Sequence, residues 1–131
     1  MSNEEKPEIG SVGWFDLTVP DAKVIQQFYG RVIGWKSEPV PMAKDSYTDF
    51  NMKAPGSGLT VTGICHSRGV NTDLPAQWLL YITVESVEKS AAECKAAGGQ
   101  VITESKQIGN YGKYCVIEDP AGAVCALFEP A

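Results

Sequence analysis

The same order of predicted elements occurs twice along this 131-residue chain. In each half a strand is followed by a capped helix, a glycine and three further strands. Matching features stand 65 positions apart: Thr18-Val19 with Thr83-Val84, the helix-capping Asp21 with Ser86, and Gly34 with Gly99. Few residues are identical between the two halves, so the evidence for a repeat is the order of the predicted elements. It predicts two similar βαβββ modules and an α+β fold.

Alternation of apolar and polar residues assigns faces to the first strand of each half. The set expected to face the helices is Phe15, Leu17, Val19, Leu80, Ile82 and Val84, packed against Phe28, Val32, Ala91 and Cys94. The opposite set, expected to line a cavity, is Trp14, Asp16, Thr18, Leu79, Tyr81 and Thr83. The pattern alone leaves a ferredoxin-like α+β sandwich open as well.

Turn-forming residues mark the boundaries between these segments. Residues 1–9 are polar and predicted to be a disordered tail, 10–66 form the first module, 67–76 a linker, and 77–131 the second module. The four residues Asp119-Pro120-Ala121-Gly122 have the chemistry of a type I turn, which predicts a closing hairpin.

Composition excludes several classes of function. The net charge of −5 lacks the basic footprint of a general nucleic-acid-binding protein. No segment reaches the length of a membrane span, and the acidic start is not a secretory signal. The single histidine, His66, cannot supply a multi-histidine metal site, and the four cysteines form no C-x-x-C motif. We therefore expect a cytoplasmic protein with reduced thiols that binds neither nucleic acid nor membrane.

Three groups of residues resemble a known family. Residues 14–21, with Phe28-Tyr29-Gly30 and Ile33-Gly34-Trp35, resemble the opening module of the glyoxalase / bleomycin-resistance / extradiol-dioxygenase (vicinal oxygen chelate) superfamily. Residues 118–123 and 127–130 resemble its last hairpin, and Leu80-Tyr81-Ile82-Thr83-Val84 with Gly98-Gly99 its second module. The resemblance covers about residues 10–130. It implies paired βαβββ modules whose curved sheets enclose a shared cavity, and a homodimer.

The resemblance also implies a divalent ion in metal-dependent members, held by His, Gln or Glu near the start of each module and at the end of the last strand. The matching positions here are Trp14, Leu79 (or Trp78 if the register slips by one) and Glu129. Only Glu129 carries a donor that a divalent cation takes. We therefore predict no cofactor, and a divalent metal is disfavoured.

The candidate catalytic residues are Asp16 and Glu129, while the catalytic set itself stays unknown. Asp16 is an acid within an apolar strand. It is either a residue at an exposed edge or in a salt bridge, or a cavity carboxylate whose raised pKa allows it to act as a base. The expected ligand-binding cavity is lined by Trp14, Asp16, Thr18, Leu79, Tyr81 and Glu129. Lone His66 at the linker is expected at the surface, and Cys65 buried and inert.

Three functions remain open from the sequence. The first is a glyoxalase-like small-molecule-binding protein without the usual metal ligands, which binds or modestly transforms a metabolite or drug. The second is a metal-dependent lyase, isomerase or dioxygenase with a shifted ligand set. The third is a non-catalytic, dimeric drug-sequestering resistance module.

Overall fold

A computed structural model describes residues 7–42, 47–68 and 71–131, so most of the predicted tail at residues 1–9 lies outside the described residues. The chain divides into two compact units. The first unit is Phe15–Trp78, and the second is Leu79–Ala131 with the described residues up to Trp14. Neither helix in the described ranges is long and apolar enough to cross a membrane.

In the described part of the first unit there are one helix and four strands. Its elements are β1 (Val12–Val19, which begins just before the unit), α1 (Ala22–Ile33), β2 (Lys36–Pro41), β3 (Thr48–Lys53) and β4 (Thr60–His66). The strand order is β2-β3-β4-β1. β1 and β4 are parallel, and the other two pairings are antiparallel. The module is thus βαβββ, as the sequence predicts.

The second unit repeats this arrangement. Its elements are β5 (Trp78–Thr83), α2 (Val87–Ala96), β6 (Gln100–Ile108), β7 (Gly112–Glu118) and β8 (Val124–Pro130). The strand order is β5-β8-β7-β6, with β5 and β8 parallel. The predicted α+β class with two βαβββ modules is therefore confirmed. The predicted shared cavity stays a prediction.

Both helices begin and end where capping chemistry dictates. Asp21 Oδ1 accepts a hydrogen bond from the Val24 N–H at 3.3 Å, and Ser86 Oγ accepts one from the Lys89 N–H at 3.2 Å. These side chains satisfy backbone donors that have no partner within the helix. Gly34 follows α1 with φ +93°, a left-handed conformation that favours glycine.

The core of the first unit lies between its sheet and α1. Its buried residues are Leu17, Val19, Ala22, Met52 and Ile64, with Ile25, Tyr29, Trp35, Phe50 and Trp78 packed against them. The expected strand residues Leu17 and Val19 are therefore correct. The expected helix partners Phe28 and Val32 are wrong, because both are more than half exposed, whereas Ile25 and Tyr29 turn inward.

The core of the second unit is smaller and includes a cysteine. Val87, Cys115 and Leu127 are buried, and Ile82, Val84, Ala91 and Ile117 pack against them. Ile82 and Val84 thus face α2, as alternation predicts, and so does Ala91. Leu80 has the same parity in β5 but is 48% exposed, so the core does not reach it.

The predicted closing hairpin is present between β7 and β8. Asp119 Oδ1 accepts hydrogen bonds from the N–H groups of Ala121 and Ala123, at 2.8 and 3.0 Å. The turn places Cys125 opposite Ile117, one position from the expected neighbour Val116. Cys115 and Cys125 are therefore diagonal, and both are free thiols.

Candidate functional site

The register of the two units makes their sheets comparable residue by residue. Asp16 lies opposite Gly63 in the first unit, and Tyr81 lies opposite Ala126 in the second. Phe50 lies opposite Ile64, and Cys115 opposite Leu127. We call the sheet surface that points away from a unit's own helix its distal face. The equivalent distal positions are Asp16 and Tyr81, Asp49 and Tyr114, Asn51 and Val116, Gly63 and Ala126, and Cys65 and Phe128.

Acidic side chains surround a thiol on the distal face of the first unit. Burial raises the pKa of the Cys65 thiol far above its usual range, and the nearby carboxylates of Asp16 and Asp49 raise it further. The Oδ1 atom of Asp16 is itself buried from solvent. The thiol therefore stays protonated and is a poor nucleophile, which agrees with the inert cysteine predicted at this position.

Asp49 also holds the only histidine of the chain. Its Oδ1 atom accepts a hydrogen bond from the His66 backbone N–H at 2.9 Å and lies 3.3 Å from Nδ1 of the imidazole. The two side chains are only 14% and 13% exposed. The expectation of a surface histidine is therefore wrong, because this carboxylate provides a partner that permits burial. The ring of Tyr47 lies edge-on to the imidazole.

A second polar group follows on the neighbouring strands. Glu38 accepts hydrogen bonds from the Asn51 amide at 3.3 Å and from the Lys53 ammonium at 3.2 Å. The hydrogen bond from Lys53, and then that from Asn51, lower the pKa of the Glu38 carboxyl. The distal face of the first unit is thus lined by paired polar groups from β1 across to β2.

Aromatic side chains occupy the equivalent positions of the second unit. The rings of Tyr81 and Tyr114 lie 6.1 Å apart between centroids, with an interplanar angle of 48°. Phe128 is in register with Thr83, so it lies on β8 beside this pair. Tyr81 and Phe128 remain partly exposed, whereas Tyr114 is buried. This face offers aromatic surface with a phenolic hydroxyl group, which suits a flat ligand.

The other predicted cavity residues differ widely in exposure. Thr18 and Leu79 are buried, at 3% and 0%, and Trp14 is 37% exposed. Thr18 belongs to the first unit, whereas Trp14 and Leu79 belong to the second. Asp16 lies beside Gly63, where a Cβ atom would approach the Asp16 Cβ to 3.8 Å. The missing side chain at Gly63 therefore leaves room beside the carboxylate.

Glu129 lies on the helix side of β8 rather than on the distal face where the sequence analysis placed it. Its Oε1 atom accepts a hydrogen bond from the Val87 N–H, the first of α2, at 3.0 Å. Since side chains alternate along a strand, Glu129 shares the face of the core residue Leu127. The carboxylate therefore stabilises the positive end of the α2 dipole.

An ion pair extends this contact at the start of α2. The Lys113 ammonium donates to both carboxylate oxygens of Glu88, at 3.1 and 3.2 Å. This hydrogen bond lowers the pKa of Glu88 and raises that of Lys113, and the nearby charge of Glu129 raises the pKa of Lys113 as well. The charged side chains of Glu129, Lys113 and Glu88 therefore lie together at the start of α2 and contribute to the structure there.

Sequence reasoning missed Asp49 and Tyr114 as site residues. Both lie on the third strand of their module, and only the antiparallel register places them beside Cys65 and next to Tyr81. The 65-residue offset does connect Asp49 with Tyr114, and so it was the available signal. Among the residues that the structure describes, no three His, Cys, Asp or Glu side chains are grouped so that they could hold a metal ion.

The described fold agrees with the family that the sequence matches. Residues 11–127 match the Glyoxalase/Bleomycin resistance protein/Dioxygenase superfamily. The chain belongs to this superfamily. The resemblance noted from three groups of residues in the sequence is thereby confirmed over nearly the whole chain.

Curated relatives are longer than this chain. It is 29% identical over 124 residues to the putative glyoxylase CFP32 of Mycobacterium tuberculosis, covering 95% of this chain and 46% of the relative. It is 27% identical over 132 residues to the anthracycline biosynthesis protein DnrV of Streptomyces peucetius, covering 91% of this chain and 46% of that protein. The chain therefore spans about half the length of these relatives.

Solved structures share the fold at low identity. A methylmalonyl-CoA epimerase from Mycobacterium tuberculosis has a TM-score of 0.54 and 15% identity, covering 98% of this chain and 94% of the epimerase. Homoprotocatechuate 2,3-dioxygenase from B. fuscum has a TM-score of 0.55 and 16% identity, covering 95% of this chain and 33% of the dioxygenase. At these identities the similarity concerns the fold alone.

Proposed function

We propose that this chain binds a planar aromatic small molecule on the distal face of its second unit, and that it does so without a divalent metal. The observation that carries the proposal is the Tyr81–Tyr114 ring pair, with centroids 6.1 Å apart. The equivalent positions of the first unit hold the acids Asp16 and Asp49. The aromatic pair is therefore a property of one unit and not of the repeated fold.

Ring stacking supplies the binding energy in this proposal. Tyr81 and Phe128 keep exposed surface to contact a flat ligand, and the buried ring of Tyr114 packs beside Tyr81. Aromatic pairs add about 0.5–1.5 kcal/mol beyond the burial of their area. A phenolic hydroxyl can also hydrogen-bond to a ligand oxygen, which would orient the molecule on the face.

The names of two relatives favour this class of ligand. DnrV of Streptomyces peucetius and DauV of Streptomyces sp. are named anthracycline biosynthesis proteins, and they are 27% and 26% identical to this chain. Anthracyclines contain fused planar rings, which match an aromatic platform. Because this chain spans only about half of those proteins, we extend to it the ligand class and no reaction.

The donor set does not fit the divalent ion of metal-dependent superfamily members. Trp14 and Leu79 carry no oxygen, nitrogen or sulfur donor that a divalent cation takes. The Glu129 carboxylate holds the start of α2. Asp16 lies opposite Gly63, which has no side chain to add a further donor. No step of the proposed function therefore passes through a metal.

The remaining expectations belong to the same proposal. Trp14, Thr18 and Leu79 stay candidate ligand-facing residues, and Asp16 stays a candidate acid–base group of the first unit should the ligand be transformed. We also propose that the protein works as a homodimer in the cytoplasm.

Titration of a neutral amino-anthraquinone, followed by isothermal calorimetry, tests the proposal. Tyr81→Ala removes one ring of the pair and should weaken binding roughly tenfold or more. The matched control is Tyr111→Ala, because Tyr111 is 75% exposed and lies in the turn before β7, outside the strands of the sheet. The control should bind like the wild type, and prior dialysis against a chelator should leave the affinity unchanged.

Three results would contradict the proposal. These are an absence of binding by the wild type, an equal loss in Tyr81→Ala and Tyr111→Ala, and a loss after chelation that is restored by a divalent metal. The last result would instead favour a metal-dependent enzyme with a shifted ligand set.

A further inference from the structure

An apolar ridge runs along the exposed side of α1 in the first unit. It is formed by Val24, Phe28 and Val32, which are 54%, 54% and 62% exposed. These residues are spaced by four positions, so they lie in one row along the helix surface. We call this row the α1 ridge. Single exposed apolar residues are common on protein surfaces, but a contiguous apolar patch indicates an interaction site.

The equivalent positions of α2 carry different side chains, so the fold itself does not require the α1 ridge. The offset of 65 residues places Lys89, Glu93 and Ala97 at the positions of the ridge. All three residues are exposed. Oppositely charged residues four positions apart suit a helix surface that meets water. The apolar row is therefore a property of α1, and its exposure needs a separate explanation.

The apolar surface continues from the ridge to the sheet of the same unit. The ring centroids of Phe28 and Tyr29 are 5.1 Å apart, and those of Tyr29 and Trp78 are 5.4 Å apart. Phe15 follows at 6.4 Å from Trp78 and is 43% exposed. The exposed parts of the ridge and of Phe15 amount to roughly 350 Å², a size typical of functional surface patches.

A groove of about 530 Å³ lies beside the ridge. It is lined by the three ridge residues and by Gln27 and Arg31, which belong to the next row of residues spaced by four. When two helices pack, a row of this kind on one helix enters the groove between two rows of the other, and the axes cross at about −50°. Since α1 presents both a row and the adjoining groove, its surface is complementary to a second copy of itself.

The charges at the two ends of α1 favour an antiparallel pairing of two copies. Asp21 caps the start of the helix, and Arg31 lies in its last turn. Asp21 is three residues before Val24 and Arg31 is three residues after Phe28, so both lie on the side of the ridge. In an antiparallel pair the guanidinium of one copy approaches the carboxylate of the other. Such complementary charges fix the orientation of two partners.

We propose that the α1 ridge is the contact between two copies of this chain, which pack α1 against α1 in an antiparallel pair. This assignment rests on the homodimer proposed above and not on the proposed ligand. Two facing patches cover roughly 700 Å² of apolar surface, and a polar rim brings the total near the about 1,200 Å² of a small specific interface. Phe28 lies in the middle of the ridge and is the anchor that enters the groove of the partner copy.

Sedimentation velocity of the full chain, with light scattering after gel filtration, tests this interface. The wild type should have about twice the 14.1 kDa mass of one chain. Phe28→Glu introduces the residue type that α2 carries at the equivalent position, so the fold should accept it. It should raise the dissociation constant of the dimer roughly thirtyfold or more. The matched control is Tyr111→Glu, which changes a 75% exposed aromatic residue of the second unit and should leave the dimer intact.

Three results would overturn the assignment. A monomeric wild type would overturn it together with the proposed homodimer, whereas a dimeric Phe28→Glu variant, or dissociation of the Tyr111→Glu control, would overturn the assignment alone. Val24→Lys also copies α2 and should weaken the dimer in the same way, and circular dichroism verifies that both ridge variants fold. Ligand binding at Tyr81 is measured separately, so failure of the ligand proposal would leave these masses unchanged.

Discussion

The distal faces of the two units occupy equivalent positions of one repeated fold, but they carry different chemistry. In the first unit Asp16, Asp49 and Cys65 form a polar face with paired charges nearby. In the second unit their equivalents are Tyr81, Tyr114 and Phe128. The helix-facing side, by contrast, holds an apolar core in both units. The helix-facing side therefore serves packing in both units, whereas the chemistry of the distal side differs between them at Asp16 and Tyr81 and at Asp49 and Tyr114.

The two units also hold a carboxylate in two different environments. Asp49 is held by the histidine at the end of its neighbouring strand, so it is tolerated with little exposure. Glu129 lies on the helix-facing side and is tolerated because α2 begins beside it. Neither carboxylate can be assigned a catalytic role from its residue type alone, because its strand parity decides what it contacts.

Exchanging the residues at the equivalent positions Asn51 and Val116 should change the free energy of unfolding more than the other substitutions described below. Val116→Asn places an amide at a position with 0% exposure and should cost about 2–4 kcal/mol. The reciprocal Asn51→Val loses the hydrogen bond to Glu38 and should cost about 1 kcal/mol or less. Urea denaturation of both variants measures this asymmetry. Equal losses would show that the two faces do not differ as described.

Removal of the Asp49 carboxylate tests the polar face alone. Asp49→Ala leaves the poorly exposed His66 without its acceptor and should cost about 1–3 kcal/mol. Asp49→Asn keeps an oxygen acceptor for the His66 N–H and should recover most of this loss. Thermal melts of the two variants provide the measurement, and equal melting temperatures would argue against the hydrogen bond.

Substitution of Glu129 tests its assignment to α2. Glu129→Ala should cost about 1 kcal/mol, because the Val87 N–H loses its acceptor, while Glu129→Gln keeps that acceptor. Hydrogen exchange at Val87 should accelerate in the alanine variant and change little in the glutamine variant. Slow exchange at Val87 in Glu129→Ala would show that the carboxylate does not cap this helix.

The smallest expected effect concerns the exposed Glu88–Lys113 ion pair. Because the folded state lowers the Glu88 pKa, this carboxyl stabilises the fold above its ordinary pKa, and the contribution disappears as the pH falls through the lowered value. The melting temperature of Glu88→Gln should thus be slightly below that of the wild type at neutral pH. The two should converge below about pH 4. A difference that grows on acidification would contradict the sign.

Much of the fold could be predicted from the sequence because its signals are local. Caps such as Asp21 and Ser86, and the alternation around Leu17 and Ile82, depend on neighbours within a few residues. The inward face of α1 could not be fixed, because its apolar side is wider than the surface that packs on the sheet, and Val24, Phe28 and Val32 stay exposed.

The candidate site was harder to predict because it depends on strand register. Tyr81 was found from its own strand, but its partner Tyr114 is brought beside it by pairings through β8. Glu129 was assigned to the cavity from the family resemblance, whereas its parity with Leu127 places it on the helix side. The contact with Val87 joins residues 42 positions apart.

Chemical-shift mapping by nuclear magnetic resonance is the direct test of whether the ligand binds the distal face of the second unit. An isotope-labelled protein is titrated with the neutral amino-anthraquinone, and the perturbed resonances are placed on the two units. If the ligand binds the second unit, the largest chemical-shift changes fall at Tyr81, Tyr114 and Phe128, and those at Asp49 and Cys65 are small. Shifts centred on Asp49 and Cys65, or on the exposed residues of α1, would contradict it.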